Sequence, residues 1–360
     1  MPVTDLWTEL KSADKKIVLY GTGNGADKII ACLERHGIAV DGIFASNGFV
    51  RDREFHGIKV RSYEQIKEEF GEFIVLMCFG SSRVEVIDFV KRIMSENEFY
   101  LPDVPVYGDI VFDSEYYLNN VNRFNAVEAK LEDSISQKTY RDIIQYKLSG
   151  DVRYLFDSET TENEEESIIE LADNSILIDC GAYNGDTVRK YKRVYGNKLS
   201  RIIAVEPDKR NYRKLCAFAE NMTDVFPINA AVSEADGKVI LQDNTGRGVH
   251  IDGNSVFDKE RENTVDVMCI DTIAEKYMTD GTDIKDILIK FDVEGNEVKA
   301  LNGARKLIEN RRPKMVVACY HRNDDMFRIP ETVFAIRGDY KLKIRHLPGL
   351  PCWDTQFYFY

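Results

Sequence analysis

Five short stretches of this chain end an apolar run in residues able to do chemistry. "ILIDCGAYNGDT" brings Asp179, then Gly181, Ala182, Tyr183, Asn184 and Gly185. "AVEPD" brings Glu206 and Pro207, and "INAAVSE" brings Asn229, Ala230 and Ala231. "IKFDVEGNE" brings Asp292, Glu294 and Gly295, and "ACYHRNDD" brings His321. If each apolar run is a strand of an open α/β sheet, these residues lie just beyond the strands' carboxyl ends, where such sheets bind their ligands.

The first turn reads D-x-G-x-x-x-G, not the G-x-G-x-x-G that packs a pyrophosphate against backbone N–H groups. An acid ahead of the first glycine repels a phosphate and favours a cationic amino group. Glu206 follows the glycine turn by about 20 residues, where a carboxylate accepts hydrogen bonds from two ribose hydroxyls. A ribose and an amino-acid tail without a phosphate describe S-adenosylmethionine.

Methyl transfer from a sulfonium to an alcohol is an in-line displacement, and the alcohol needs its proton removed as the bond forms. His321 is the expected base, with Asp292 or Glu294 orienting it or holding the acceptor. The two carboxylates share one face if the strand continues through Glu294. Asp292, Glu294 and His321 have the donor types of a divalent Mn, Fe or Zn site, but they lack tight ligand spacing and no metal is assigned. His36, His56, His250 and His346 have no comparable placement.

The five stretches in order, the fourth running on as "IKFDVEGNEVKALNGA", make roughly residues 140 to 360 resemble the FkbM family of class I S-adenosylmethionine-dependent methyltransferases. The resemblance implies methylation of a hydroxyl oxygen. It also implies that Asp179 and Gly181 to Gly185 line the methionine moiety, that Glu206 holds the ribose with Pro207 shaping the turn, and that Asn229 and Ala230 sit by the adenine edge. Each position has a structural alternative, since a glycine after a strand can simply make a turn and an acid there can simply cap a helix.

The elements that must position these residues follow from periodicity. Residues 167–360 read as alternating strands and helices, a doubly wound parallel sheet, closed by "KLKIRHLPGLPCWDTQFYFY". That segment has no room for a crossover helix, so its two runs should pair antiparallel. Residues 114–166 read as a helical connector in which the acidic run "DSETTENEEE" is a solvated loop. Residues 1–113 form another strand–helix alternation, giving two Rossmann-like domains in tandem.

The first of these domains carries "GTGNGA", which satisfies G-x-G-x-x-G/A through Gly21, Gly23 and Ala26, a tentative nucleotide site. Its second strand, "VDGIFASN", ends in Ser46 and Asn47 where a dinucleotide site would place an acid, which weakens an NAD reading. Through "GTGNGADKII", "VDGIFASN" and "FHGIKVRSYEQI" the domain resembles the nucleotide-sugar-binding modules found ahead of sugar acyltransferases. The alternative is a domain used for packing or dimerisation.

Bulk properties narrow the classes further. The 360 residues, 44% hydrophobic, suffice for two cores. A net charge of −13 argues against a nucleic-acid partner. Seven scattered cysteines, none in C-x-x-C spacing, read as small core residues of a reducing compartment. No apolar run approaches the roughly 20 residues of a membrane span and the start has no signal-peptide pattern, so a cytoplasmic protein is expected.

The reading that results is an S-adenosylmethionine-dependent O-methyltransferase acting on a sugar, nucleotide-sugar or glycan, with homo-oligomerisation open. Two alternatives stand beside it: an NAD-dependent oxidoreductase working through the first domain, and a non-catalytic S-adenosylmethionine-binding module. The acceptor is expected to be covered by "DNTGRGVHIDGNSVFDKEREN", with Tyr140 or Tyr146 as candidates to stack on a sugar ring.

Overall fold

The computed structural model describes residues 4–46, 48–50, 53–240, 264–278 and 283–360. The chain divides into two compact units. The first comprises Met1–Asn125, Ser134–Thr161 and Arg345–Asp354, and the second Ala126–Asp133, Glu162–Ile344 and Thr355–Tyr360.

The first unit is built on β1 (Lys16–Tyr20), β2 (Gly42–Phe44), β3 (Glu54–Phe55), β4 (Ile58–Arg61), β5 (Phe73–Met77) and β6 (Glu98–Tyr100), in the order β3-β4-β2-β1-β5-β6. All neighbours are parallel except the β3–β4 pair. Helices Asn24–Arg35, Tyr63–Phe70 and Val84–Glu96 make the crossovers, and Ser62 with Gln65 closes a capping box on the second. Ile29, Ile30 and Leu33, the apolar face read from the sequence, pack into a core with Leu6, Trp7, Ile17 and Leu76. Helix Ser134–Ser149 buries Tyr140 and Tyr146 completely, so neither ring is available to stack on a sugar.

The second unit supplies β7 (Ser175–Cys180), β8 (Leu199–Val205), β9 (Val225–Ile228), β10 (Ala230–Val232), β11 (Gly237–Ile240), β12 (Thr264–Met268), β13 (Ile287–Phe291), β14 (Lys314–Ala318), β15 (Leu342–His346) and β16 (Thr355–Phe359). Seven strands form one sheet in the order β15-β16-β14-β13-β7-β8-β9. From β7 the chain proceeds to β8 on one side and later to β13 on the other, so the carboxyl end of β7 is the switch point where such sheets open a crevice. Every residue of β7 is buried, as a central strand covered on both faces requires.

The antiparallel closure expected from the sequence is present: β16 runs antiparallel to β14, and Lys341 and Tyr360 exchange both backbone hydrogen bonds beside it. Two expectations need correction. The apolar run that ends in "INAAV", in full "VFPINAAV", is not one strand, because the chain breaks at Asn229 and β10 joins a separate sheet, β10-β12-β11. The acidic run is not simply a solvated loop, since Glu165 is 4% exposed, pairs with Lys190 and accepts from the Tyr358 hydroxyl at 2.9 Å. A buried carboxylate persists only when so partnered.

Candidate active site

Two glycines bring the loops of the site together. Gly181 has φ +90°, and a Cβ there would lie 1.9 Å from the carbonyl oxygen of Asp292. Gly185 has φ +89°, and its Cβ would fall 2.4 Å from the ring of Phe218. Both need a left-handed backbone and no side chain, which glycine alone supplies at no cost. The turns after β7 and β13 therefore touch.

Asp179 lies in β7 beside Lys290 of β13. It is fully buried, and neither carboxylate oxygen has a hydrogen-bond partner among the described residues. Burial, against the pull of Lys290 and with help from Asp186 and Asp292, raises its pKa to about 7. Lys290 donates to Asp292 Oδ2 at 3.0 Å and to Thr187 Oγ1 at 3.3 Å. Burial opposes the lysine's charge, but Asp292 and Asp179 outweigh it and hold the ammonium charged.

Glu206, 6% exposed, ties the first two loops together. Its Oε2 accepts from the Tyr183 amide and its Oε1 from the Asp208 amide, each at 2.8 Å. Burial raises its pKa to about 7 although both amides favour the anion. Asn229 donates its side-chain amide to the carbonyls of Glu206 and Pro207, at 2.9 and 3.0 Å, and Ala230 next to it is buried. Tyr183 is left 47% exposed above this edge.

Strand β13 stops at Phe291, and Glu294 adopts φ +54°. The condition for the two carboxylates to share a strand face, a strand running through Glu294, is therefore not met, because a left-handed residue ends the alternation of faces. The turn nonetheless delivers both carboxylates to one imidazole: His321 Nε2 is 3.6 Å from Asp292 Oδ1 and 3.5 Å from Glu294 Oε2. On the other side of the ring, Nδ1 is 2.9 Å from Glu297 Oε1. His321 itself is 1% exposed and packs against the Tyr320 ring, whose hydroxyl donates to Asp292 Oδ1 at 3.2 Å.

Burial disfavours the imidazolium, yet Glu297, Asp292 and Glu294 together raise the His321 pKa to about 9. At neutral pH the resting ring is cationic. The Asp292 carboxyl is correspondingly held below the usual range, Lys290 and His321 overcoming the effect of burial.

Four participants have no role in the sequence reading: Lys290, Glu297, Tyr320 and Asp325. Glu297 stands inside the quoted "DVEGNE", but only the fold reveals that it is fully buried and turned back onto the amides of Val293 and Gly295. Among the described residues no group of three or more His, Cys, Asp or Glu is arranged to hold a metal ion. His36 contacts the Cys32 carbonyl, His56 pairs with Asp27, and His346 is fully buried. His250, Asn47 and residues 243–263 lie outside the described residues.

In the first unit, Gly21 and Gly23 both have positive φ, a Cβ on Gly25 would lie 2.1 Å from the Cys78 carbonyl oxygen, and Ala26 is buried. Thr22 accepts from Arg53 at 2.6 Å beside that turn, and Ser46 meets the Tyr20 hydroxyl at 2.6 Å.

Comparison with known proteins finds a family likeness over part of the chain. Residues 179–339, the segment that holds every residue named for this sheet-edge site, match the family model described as the methyltransferase FkbM domain. This segment is similar to a methyltransferase FkbM domain. The crystal structure of a methyltransferase FkbM from Methylobacillus flagellatus KT shares the fold with a TM-score of 0.71, at 19% identity over 100% of this chain and 95% of that one. Partial matches include Aeropyrum pernix fibrillarin with natively bound S-adenosyl-L-methionine, at a TM-score of 0.33 and 15% identity over 54% of this chain and 71% of that one. Another is precorrin-6y C5,15-methyltransferase from Geobacter metallireducens GS-15, at 0.32 and 11% over 56% and 93%. No curated protein matches the chain significantly. Within residues 179–339, no described helix is long and apolar enough to cross a membrane, and the same holds of the rest of the described chain.

Proposed function

We propose that the FkbM-like domain transfers a methyl group from S-adenosylmethionine to a hydroxyl of a sugar, nucleotide-sugar or glycan. The observation that carries this reading is the state of two buried carboxylates on one sheet edge. Glu206 commits each oxygen to a single backbone amide, which leaves lone pairs for two ribose hydroxyls. Asp179 has both oxygens without a partner among the described residues, an arrangement that favours a cationic amino group nearby. The residues therefore fit the cofactor.

Bound there, S-adenosylmethionine supplies an activated methyl group on a sulfonium. The chain's own residues do the rest. The Gly181–Gly185 turn leaves room for the methionine moiety, with Pro207 shaping the ribose turn and Asn229 and Ala230 by the adenine. His321 Nε2 takes the hydroxyl proton as the new O–C bond forms and the methyl–sulfur bond breaks, leaving S-adenosylhomocysteine, and Asp292 and Glu294 steady the resulting imidazolium and the acceptor. Because the resting ring is cationic below about pH 9, the basic form grows as the pH rises toward that value. No metal is needed for these roles.

The first unit is proposed to hold the nucleotide-sugar or glycan end through the Gly21, Gly23 and Ala26 turn. The positive φ of both glycines is the support for this part. The whole reading is tested by incubating the protein with methyl-labelled S-adenosylmethionine and a panel of UDP-sugars and free glycans. Label should appear on a hydroxyl oxygen, and His321→Ala should slow its transfer by about 10²- to 10⁴-fold, the usual worth of a general base. Full transfer by a variant carrying both Asp292→Asn and His321→Ala would remove these catalytic roles, and label only on nitrogen or sulfur would overturn O-methylation.

A further inference from the structure

We infer that Lys290 is a positioning residue for the cofactor: Asp292 and Thr187 hold its ammonium off Asp179, which leaves Asp179 to a cationic group on the ligand and lets Asp292 set how firmly that group is held. The inference deepens the methyltransferase reading and rests on it. Asp179 of β7 and Lys290 of β13 are register partners in adjacent parallel strands, so their side chains leave the same face of the sheet. Strands lie about 4.8 Å apart, and a buried acid beside a lysine at that spacing is ordinarily paired with it. Here the pair is not made. Lys290 Nζ donates to Asp292 Oδ2 at 3.0 Å and to Thr187 Oγ1 at 3.3 Å, and neither oxygen of Asp179 has a hydrogen-bond partner among the described residues. Water does little to weaken the competition, since Asp179 is fully buried and the Lys290 side chain is 11% exposed. Asp292 is itself fixed, because its other oxygen accepts from the Tyr320 hydroxyl at 3.2 Å. Thr187 belongs to helix Asp186–Tyr195, so the same ammonium is tied to the element that follows the glycine turn.

The arrangement couples the acceptor side of the sheet edge to the cofactor side. After Asp292, the strongest pull on the Lys290 charge comes from Asp179, so a lysine released from Asp292 turns to that carboxylate. A salt bridge there would occupy the carboxylate's lone pairs and cancel its charge. A ligand ammonium would then meet a neutral pair. The charged groups facing Asp179 are Lys290, Asp186 at the start of the helix and Asp292, and Glu206 feels its charge from the next strand. Burial raises the Asp179 carboxyl to about 7, and of these neighbours Lys290 alone draws it down.

The test needs no acceptor. S-adenosylhomocysteine, which carries the amino-acid tail, and 5′-methylthioadenosine, which lacks it, are titrated calorimetrically at pH 8.5 into the full chain as wild type, Asp292→Asn, Lys290→Met and the double variant. Asp292→Asn should weaken S-adenosylhomocysteine by about 5-fold or more. It should leave 5′-methylthioadenosine within about twofold, which also reports that the site is folded. In the Lys290→Met background the same substitution should change neither ligand, because the lysine that carries the effect is gone. An unmoved S-adenosylhomocysteine affinity in Asp292→Asn, or equal losses for both ligands, overturns the inference. So does a loss that persists without Lys290, which would mean that Asp292 attracts the tail directly. Should Lys290→Met fail to fold, Lys290→Gln takes its place, keeping a donor toward Thr187 without the charge. A wild type that binds neither ligand would sink the methyltransferase reading itself, an outcome distinct from any of those that overturn the role of Lys290.

Discussion

Under the proposed reading, Glu206 is one side chain that serves both folding and ligand recognition. Its two oxygens staple the turns after β7 and β8 through backbone amides, and burial holds its pKa at about 7, as it does that of Asp179. A ribose hydroxyl or an ammonium group is better held by carboxylate than by carboxylic acid. Ligand binding must therefore strengthen as the pH rises through 7 and weaken below it. The expected slope is about tenfold in Kd per pH unit below 7 for each carboxylate that must be ionised. Titrating S-adenosylhomocysteine between pH 5.5 and 8.5 measures it, and a flat profile would mean that neither acid contacts the ligand. At His321 the sign runs the other way for charge but the same way for rate. The imidazolium is held up to about 9, so acceptor turnover in kcat/KM should climb through the neutral range and level off near that value. A profile already flat at pH 7 would exclude His321 as the base.

At the scale of elements, the active edge depends on two backbone approaches that only glycine allows. Gly181→Ala would drive a methyl group into the Asp292 carbonyl from a strained φ, and nothing on either side is a flexible side-chain end. A loss of several kcal/mol, or failure to fold, is expected from chemical denaturation, whereas Gly237→Ala, which meets nothing within 4 Å, should stay within about 0.5 kcal/mol of the wild type. Equal effects would mean that the two loops do not touch. The strand–turn–helix openings were legible because apolar runs punctuated by glycine leave a strong local signal, and so was the antiparallel ending at β16. The break at Asn229 was not legible, because a single asparagine in the otherwise apolar "VFPINAAV" does not by itself end a strand and a change of sheet leaves no periodic trace. The end of β13 was equally hidden, since Glu294 takes a left-handed backbone that its residue type does not announce. Burial explains the remaining misses. Glu297, Lys290 and Asp325 are charged residues in a sequence that is 30% charged, and only tertiary packing distinguishes them from a solvated face.

At the scale of the whole molecule, the chain carries two α/β sheets with different turns at their switch points. The first unit carries a glycine turn at Gly21 and the second one that begins with a buried acid at Asp179, so under the proposed reading the two would select ligands of opposite charge. The rival readings divide along the same line. An oxidoreductase would place its cofactor at Gly21 and leave Asp179, Glu206 and His321 without work, whereas a binding module would use Asp179 and Glu206 but not His321. The measurement that separates them most directly is calorimetric titration of the intact protein with S-adenosylmethionine and, separately, NADH, each repeated on Glu206→Ala. The account predicts that S-adenosylmethionine binds and that the substitution weakens it by about 1–3 kcal/mol, the usual cost of removing buried hydrogen-bonding groups. Binding of NADH without binding of S-adenosylmethionine would contradict it and move the chemistry to Gly21 and its neighbours.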